Sequence, residues 1–348
     1  MKLTRPALLA LPLLAGALLA PGHAQDATVP AHPDGVTADT RAAIDKALKF
    51  LAREQSQDGS WRTGGGYGAY PVAMTGLAGL ALMGGGSTPV RGPYAKNVRK
   101  AVSFCLASRQ PSGLITAPSE ESRSMYGHGF ATLFLAQAYG MEEDKDRQRK
   151  IKVCLQAAIQ LIARSQSNDG GWLYTPDANG DEASWTITPI QALRACRNAG
   201  LHVPKQTIEN AIRYIERSQN PDGGVSYSVR ARGSRPALTA AACAVLYNAG
   251  AYDSKMATAA FEYASRTCQP TTSGGGHYFY TQLYWSQAVW QKGDKHWQKY
   301  YADVQRYLLR MQQGNGSWQG DHVGLVYGTS IGLLILQLPY NHLPILSR

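Results

Sequence analysis

One phrase returns along this chain: a helical stretch ends in Gln, a polar turn containing Gly follows, and a Trp comes shortly after. It is complete at Gln55 to Gly59 and Trp61, at Gln166, Gly170 and Trp172, and at Gln312, Gly316 and Trp318, and at Gln219 and Gly223 the aromatic gives way to Val225. Weaker copies lie at Gln110 to Gly113 and after Gln269 at Gly274 to Gly276. Successive Gln residues stand 55, 56, 53, 50 and 43 positions apart, room for two helices and two connections in each unit. A period of this size means a stacked repeat, in which no unit buries its apolar face alone.

Each unit holds two kinds of helix. The first is amphipathic: Ile208, Ala211, Ile212 and Ile215 recur at helical spacing while Glu209, Arg213, Glu216 and Arg217 take the opposite face. The second is apolar nearly all round and rich in small residues, at Thr75 to Met83, Phe130 to Tyr139, Thr186 to Ala199, Ala237 to Ala249, Tyr280 to Trp290 and Tyr327 to Leu338. A helix apolar on every face is buried, so the pattern predicts an inner ring of apolar helices inside an outer ring of amphipathic ones. An open solenoid is the alternative. It needs polar caps at both ends, and Ile331 to Leu338 is too apolar for one.

The Gln-x-x-x-Gly-x-Trp phrase resembles the QW motif of squalene-hopene and oxidosqualene cyclases and of protein prenyltransferase β-subunits. The resemblance covers about Thr40 to Leu338. It implies an all-α fold, a closed α/α toroid of six hairpins, with a central cavity opening where the inner helices begin. Family chemistry transfers less readily than shape. Cyclases of this kind protonate their substrate with the middle Asp of an Asp-x-Asp-Asp phrase. The similar place here reads Gly180-Asp181-Glu182-Ala183-Ser184-Trp185-Thr186, two adjacent acids without the triplet. The zinc-binding Asp-x-Cys pair of the prenyltransferases and the Cys-Gly-Glu-Gln phrase of thioester domains are both absent from the sequence. No cofactor and no metal are therefore expected.

Lys2 and Arg5 precede the apolar run Ala7 to Ala20 and the small-residue stretch Pro21-Gly22-His23-Ala24, the pattern of a cleaved export signal over residues 1–24. The expected organisation is that signal, an N-terminal extension over 25–39 and one toroid domain over 40–348, in a periplasmic or extracellular protein. The run of 14 residues is too short to span a bilayer. Lys and Arg number 35 against 24 Asp and Glu, and the excess is dispersed, densest at Arg230, Arg232 and Arg235. Such a surface suits membrane headgroups or acidic glycans, and a solvated basic surface accounts for it equally. Export and the lack of a recognition motif argue against nucleic acid. The five Cys residues are odd in number, have no close pair, and mostly sit in apolar helices as small hydrophobes.

If the toroid closes, the loops entering the inner helices converge. Those loops carry Asp181, Glu182, His128, His277, Asp321 and His322 as candidate acids and bases. Helix-capping acids and backbone-bonded histidines are the structural alternative for the same residues. Tyr67, Tyr70, Tyr126, Trp185, Tyr278, Tyr280, Tyr284, Trp285 and Tyr327 are candidate ligand contacts, since ring faces suit an isoprenoid chain or a cationic intermediate and also serve as packing. Three functions follow. The first is a toroid binding an apolar, isoprenoid-like or lipid ligand. The second is a cyclase- or transferase-type enzyme with an unusual acid. The third is a scaffold or glycan-contacting module.

Overall fold

Periodicity in the sequence becomes two concentric rings. The structure, a computed structural model, describes residues 33–64, 69–271 and 276–347, without the side chains of 183–185. The expected export signal, Tyr67 and the side chain of Trp185 thus lie outside the described residues, and His32–Arg348 make one compact unit. Odd-numbered helices form the outer ring: α1 (Ala38–Glu54), α3 (Ala95–Ala107), α5 (Lys145–Arg164), α7 (Lys205–Arg217), α9 (Lys255–Thr267) and α11 (Asp294–Met311). Each buries one stripe. On α5 the stripe is Ile151, Cys154, Leu155, Ala158, Ile159 and Ile162, the three-and-four spacing of a helix face. Thr37, Asp144 and Ser254 start α1, α5 and α9 by accepting hydrogen bonds from amides three residues on.

Even-numbered helices form the inner ring: α2 (Pro71–Gly84), α4 (Ser124–Gly140), α6 (Ala183–Asn198), α8 (Pro236–Asn248), α10 (Tyr278–Lys292) and α12 (Leu325–Leu336). Every residue of α2 is buried. Neighbouring inner helices pack in order around the ring, and α12 packs back on α2, which closes it. The arrangement is the α/α toroid that the repeat implies, and the described residues contain no β-strand beyond isolated bridges in the turns.

The recurring phrase now has a physical role. The Gln55 amide nitrogen donates to the Gly59 carbonyl of its own turn and to the Asn97 carbonyl of the next outer helix, both at 2.9 Å. Gln166 bonds Gly170 and Thr207 in the same way, and Gln219 bonds Gly223 and Met256. Gln312 does so across the closing seam, reaching Gly316 at 3.0 Å and Ala43 of α1 at 2.8 Å. Each Gln thus ties a turn carbonyl to a carbonyl near the start of the next outer helix. Trp61, Trp172 and Trp318 are wholly buried, and each indole donates to the carbonyl ten residues earlier at 2.7–2.8 Å. Gly316 has φ 93°, and a Cβ there would lie 2.7 Å from the Lys46 carbonyl of α1, so only glycine fits the turn.

Below the inner helices the chain ends across the barrel axis. The His342 ring meets the Gly84 carbonyl at 2.9 Å, the Ile345 amide donates to Gln137 at 3.3 Å, and Leu343 and Ile345 are buried. The tail seals the end of the barrel opposite the inner-helix N-termini. Gln312→Ala removes both of the Gln312 hydrogen bonds at the closing seam, so we expect it to cost about 1–3 kcal/mol in urea unfolding. Gly316→Ala should cost at least as much, because strain and clash coincide there.

Candidate functional site

Because the inner helices run parallel, their N-termini share one end of the barrel. None of them carries a side-chain cap of its own. The turn that leads into most of them is instead tied to a side chain of the helix itself. The Trp61 amide donates to Thr75 Oγ1 at 3.0 Å, and Trp172 to Thr186, Val225 to Thr239 and Trp318 to Thr329 repeat the bond. In the second repeat the threonine is replaced by His128, whose Nδ1 accepts from the Ile115 amide at 3.1 Å. His128 is wholly buried, and burial depresses its pKa to about 4. It stands as a neutral structural group in the threonine slot, away from any cavity.

Two acids do meet inner-helix amides, and they do so between repeats. Glu120, in the turn before α4, accepts from the Val72 amide of α2 at 2.9 Å. Asp321, in the turn before α12, accepts from the Phe279 amide of α10 at 3.2 Å. Each reaches the preceding inner helix and meets the positive end of its dipole. Burial nevertheless pushes Glu120 up to about 7 and holds Asp321 above the usual carboxylate range, although its amide contacts and the nearby His277 pull the other way. The second oxygen of each, Glu120 Oε2 and Asp321 Oδ2, is buried without a hydrogen bond among the described residues.

Asp321 lines a cavity and Glu120 stands behind its wall. The cavity holds about 350 Å³. At its rim stand Asp321, His322 and His277 with Tyr70, Tyr126, Tyr280 and Tyr327, and deeper it is bounded by Met74, Leu77, Phe130 and Leu283. Tyr70 and Asp321 have φ of 38° and 46°, two of the three left-handed non-glycine residues among those described, so backbone strain concentrates at this rim. Burial pushes the Tyr280 and Tyr327 hydroxyls well above their ordinary value, so both rings stay neutral phenols. A second space of about 710 Å³ adjoins it and shares Tyr126, Tyr174, His277 and Tyr280. Glu182, Tyr227 and Arg235 line that one, where the Tyr174 and Tyr227 hydroxyls meet at 2.6 Å.

Several expected site residues stand elsewhere. Asp181 faces the buried Tyr214 hydroxyl of α7 rather than either cavity, because its neighbour Glu182 takes the inward direction. Tyr278 turns outward against Tyr307, with its hydroxyl donating to the Pro270 carbonyl at 2.9 Å. Trp285 packs on Phe261 of α9, ring centres 5.0 Å apart, and fills the seam between the rings. Tyr284 is buried beside Tyr280 and lines neither space. The four apolar residues at depth, together with Arg123, Tyr174, Tyr227 and Glu120, escaped the sequence reading. The repeat frame marks two of them, since Tyr174 and Tyr227 both follow the motif position, Trp172 or Val225, by two residues.

All five Cys residues are buried free thiols, and burial pushes Cys154, Cys196 and Cys268 up to about 12, so none is a ready nucleophile. Among the described residues no three His, Cys, Asp or Glu side chains cluster as a metal site, and no helix is long and apolar enough to cross a membrane.

The geometry defines an α/α toroid with an aromatic-rimmed cavity at the N-termini of its inner helices. No family model matches the chain. Drimenyl diphosphate synthase of Streptomyces showdoensis is 26% identical over 199 residues, 57% of this chain and 34% of that protein. Lanosterol synthase erg7A of Aspergillus fumigatus is 25% identical over 143 residues, 41% of this chain and 18% of that protein. The matched stretch is thus about a third of the first relative and less of the second. The type II terpene cyclase MstE from Scytonema superposes with TM-score 0.59 at 17% identity, covering 88% of this chain and 100% of that one. Cellobiose 2-epimerase from Spirochaeta thermophila superposes with TM-score 0.65 at 12% identity over 88% of this chain and 98% of its own. The structural likeness carries the fold, and the two sequence matches make this chain similar to terpenoid-cyclase, squalene-cyclase-like proteins.

Glu120 and His128 make opposite contributions to stability with pH. Glu120 binds its proton more tightly in the fold, so its contribution is present below about pH 4.5 and is lost as pH rises towards 7. His128 binds its proton less tightly in the fold, so its contribution is present above about pH 6.5 and is lost as pH falls towards 4. Relative to wild type, the melting midpoint of Glu120→Gln should therefore rise between pH 4 and 7. His128→Thr, which installs the residue of the other repeats, should fall over the same range.

Proposed function

We propose that this toroid, exported by its N-terminal signal, holds an apolar isoprenoid-like ligand with its chain in the 350 Å³ cavity and its polar end at the rim. The observation that carries the reading is the polarity gradient of that cavity. Asp321, His277 and His322 stand at its mouth, and only Met74, Leu77, Phe130, Leu283 and similar apolar groups stand below. A sugar pushed to that depth loses water around every hydroxyl with nothing to replace it, whereas a hydrocarbon chain gains from burial. This separates the site from that of a carbohydrate enzyme on the same fold. The cavity volume lies in the range of ordinary small-molecule sites.

A second reading adds chemistry to the same site. Asp321 is a buried carboxyl held above its ordinary pKa, with one oxygen anchored by the Phe279 amide and the other without a hydrogen bond among the described residues. In its protonated form such a group is a candidate proton donor to an alkene held against it. The alkene π pair takes the proton, Asp321 is left as carboxylate, and positive charge forms on carbon before the faces of Phe130, Tyr126, Tyr280 and Tyr327. Ring closure ends when a neighbouring carbon releases a proton to a base, and His277 and His322 stand at the rim for that step. The fully buried Phe134 and the outward Trp285 take no part.

Equilibrium dialysis of the purified protein against farnesol should give saturable binding. Incubation with the same alcohol followed by mass spectrometry should give cyclised isomers if the second reading holds. Asp321→Asn should then keep binding within a few-fold and lower product formation by about 10²–10⁴. Absence of any prenyl alcohol binding overturns the proposal, and binding without isomerisation leaves the site as a carrier.

A further inference from the structure

The inner helices present their axial side chains in layers. On α2 the succession is Tyr70 at the start, then Met74, Leu77 and Leu80. On α4 it is Tyr126, Phe130 and Leu133, and on α10 it is Tyr280, Leu283 and Gln287. These steps of three and four residues keep one helix face towards the axis, at 1.5 Å of rise per residue. The tyrosines make the rim. Leu77, Phe130 and Leu283 make the next layer.

That next layer borders two spaces at once. It bounds the 350 Å³ cavity from below and a void of about 20 Å³ from above. The void is in turn bounded by Leu80, Leu133 and Leu334 and by Leu343, Ile345 and Leu346 of the C-terminal tail. The tail is held there by the Ile345 amide on Gln137 and by the His342 ring on the Gly84 carbonyl. Below the layer, Gln191 also donates to Gln287 at 2.8 Å, a polar tie between α6 and α10.

The height of the layer is set by backbone. Gly76 lets α2 approach α4 so closely that a Cβ there would lie 2.7 Å from the Phe130 carbonyl carbon. Phe130 therefore cannot slide along the axis without opening the α2–α4 contact. We infer that Phe130, with Leu77 and Leu283, is the length-determining floor of the ligand site, and that the C-terminal tail is the plug that keeps the space beneath it from becoming a second exit. This inference rests on the isoprenoid reading and adds to it a rule for chain length.

The rule is checked by dialysing the full mature chain against prenyl alcohols of ten, fifteen, twenty and twenty-five carbons. Wild type should bind best at one length and lose affinity for the next. Phe130→Ala joins the cavity to the void and should move the optimum at least one five-carbon unit longer, with preference for the longer alcohol rising about tenfold or more. Met74→Phe fills the space above the floor and should move the optimum shorter by a similar factor. Thermal melts confirm that each variant is folded, and the two opposite shifts keep the test decisive if one variant is not. Unchanged length profiles in folded Phe130→Ala or Met74→Phe overturn the inference alone. No binding by wild type at any length overturns the isoprenoid reading as well.

Discussion

The rest of the structure depends on a side-chain amide that serves two carbonyls. Each motif Gln ends an outer helix, ties down its own glycine turn and takes hold of the next outer helix. One residue thereby fixes both the exit of the chain towards the inner ring and the angular step to the following hairpin. Four of the six turns are built this way, and the last of the four brings α11 to α1 and closes the ring. The parallel orientation of the inner helices follows, and with it the collection of their uncapped N-termini at one mouth. The site exists because the outer seams leave those termini nowhere else to point.

Those termini explain why acids occupy so apolar a region. Glu120 and Asp321 do equivalent work, each reaching back from one inner-helix turn to the amides of the preceding inner helix. Their surroundings separate them. Glu120 is closed off behind Gly127 and Val72, whereas Asp321 opens on the cavity beside two histidines. One repeat uses the position as a cap. Another has the same cap at a place where a ligand can meet it.

The fold was legible because its determinants are local and repeated. Gln, Gly and Trp announce the seams, and helices apolar on all faces announce the inner ring. Tyr70, Tyr126, Tyr280, Tyr327, His277, Asp321 and His322 were legible as rim residues because they sit in loops or first turns of inner helices. The depth of the cavity was not. In a helix such as α2, buried on every face, periodicity does not distinguish Leu77, which looks at the axis, from Leu82, which looks elsewhere. Polar residues in those loops were equally ambiguous. His128 looked like chemistry and stands in a threonine slot, and Asp181 turned towards the outer seam while Glu182 turned in. Only alignment of the repeats with one another separates such cases.

Closure of the ring has a consequence for how the chain reaches this state. The bond that seals it joins residues 269 positions apart, from Gln312 to Ala43, while the other seams join residues about forty apart. Hairpins can therefore stack in order as a growing solenoid whose two open faces persist until the last unit arrives. The cavity has no far wall during that time, since α12 supplies Tyr327 and packs on α2 only at the end. A ligand present early would find a groove open along its length, and one present late would find a narrow mouth.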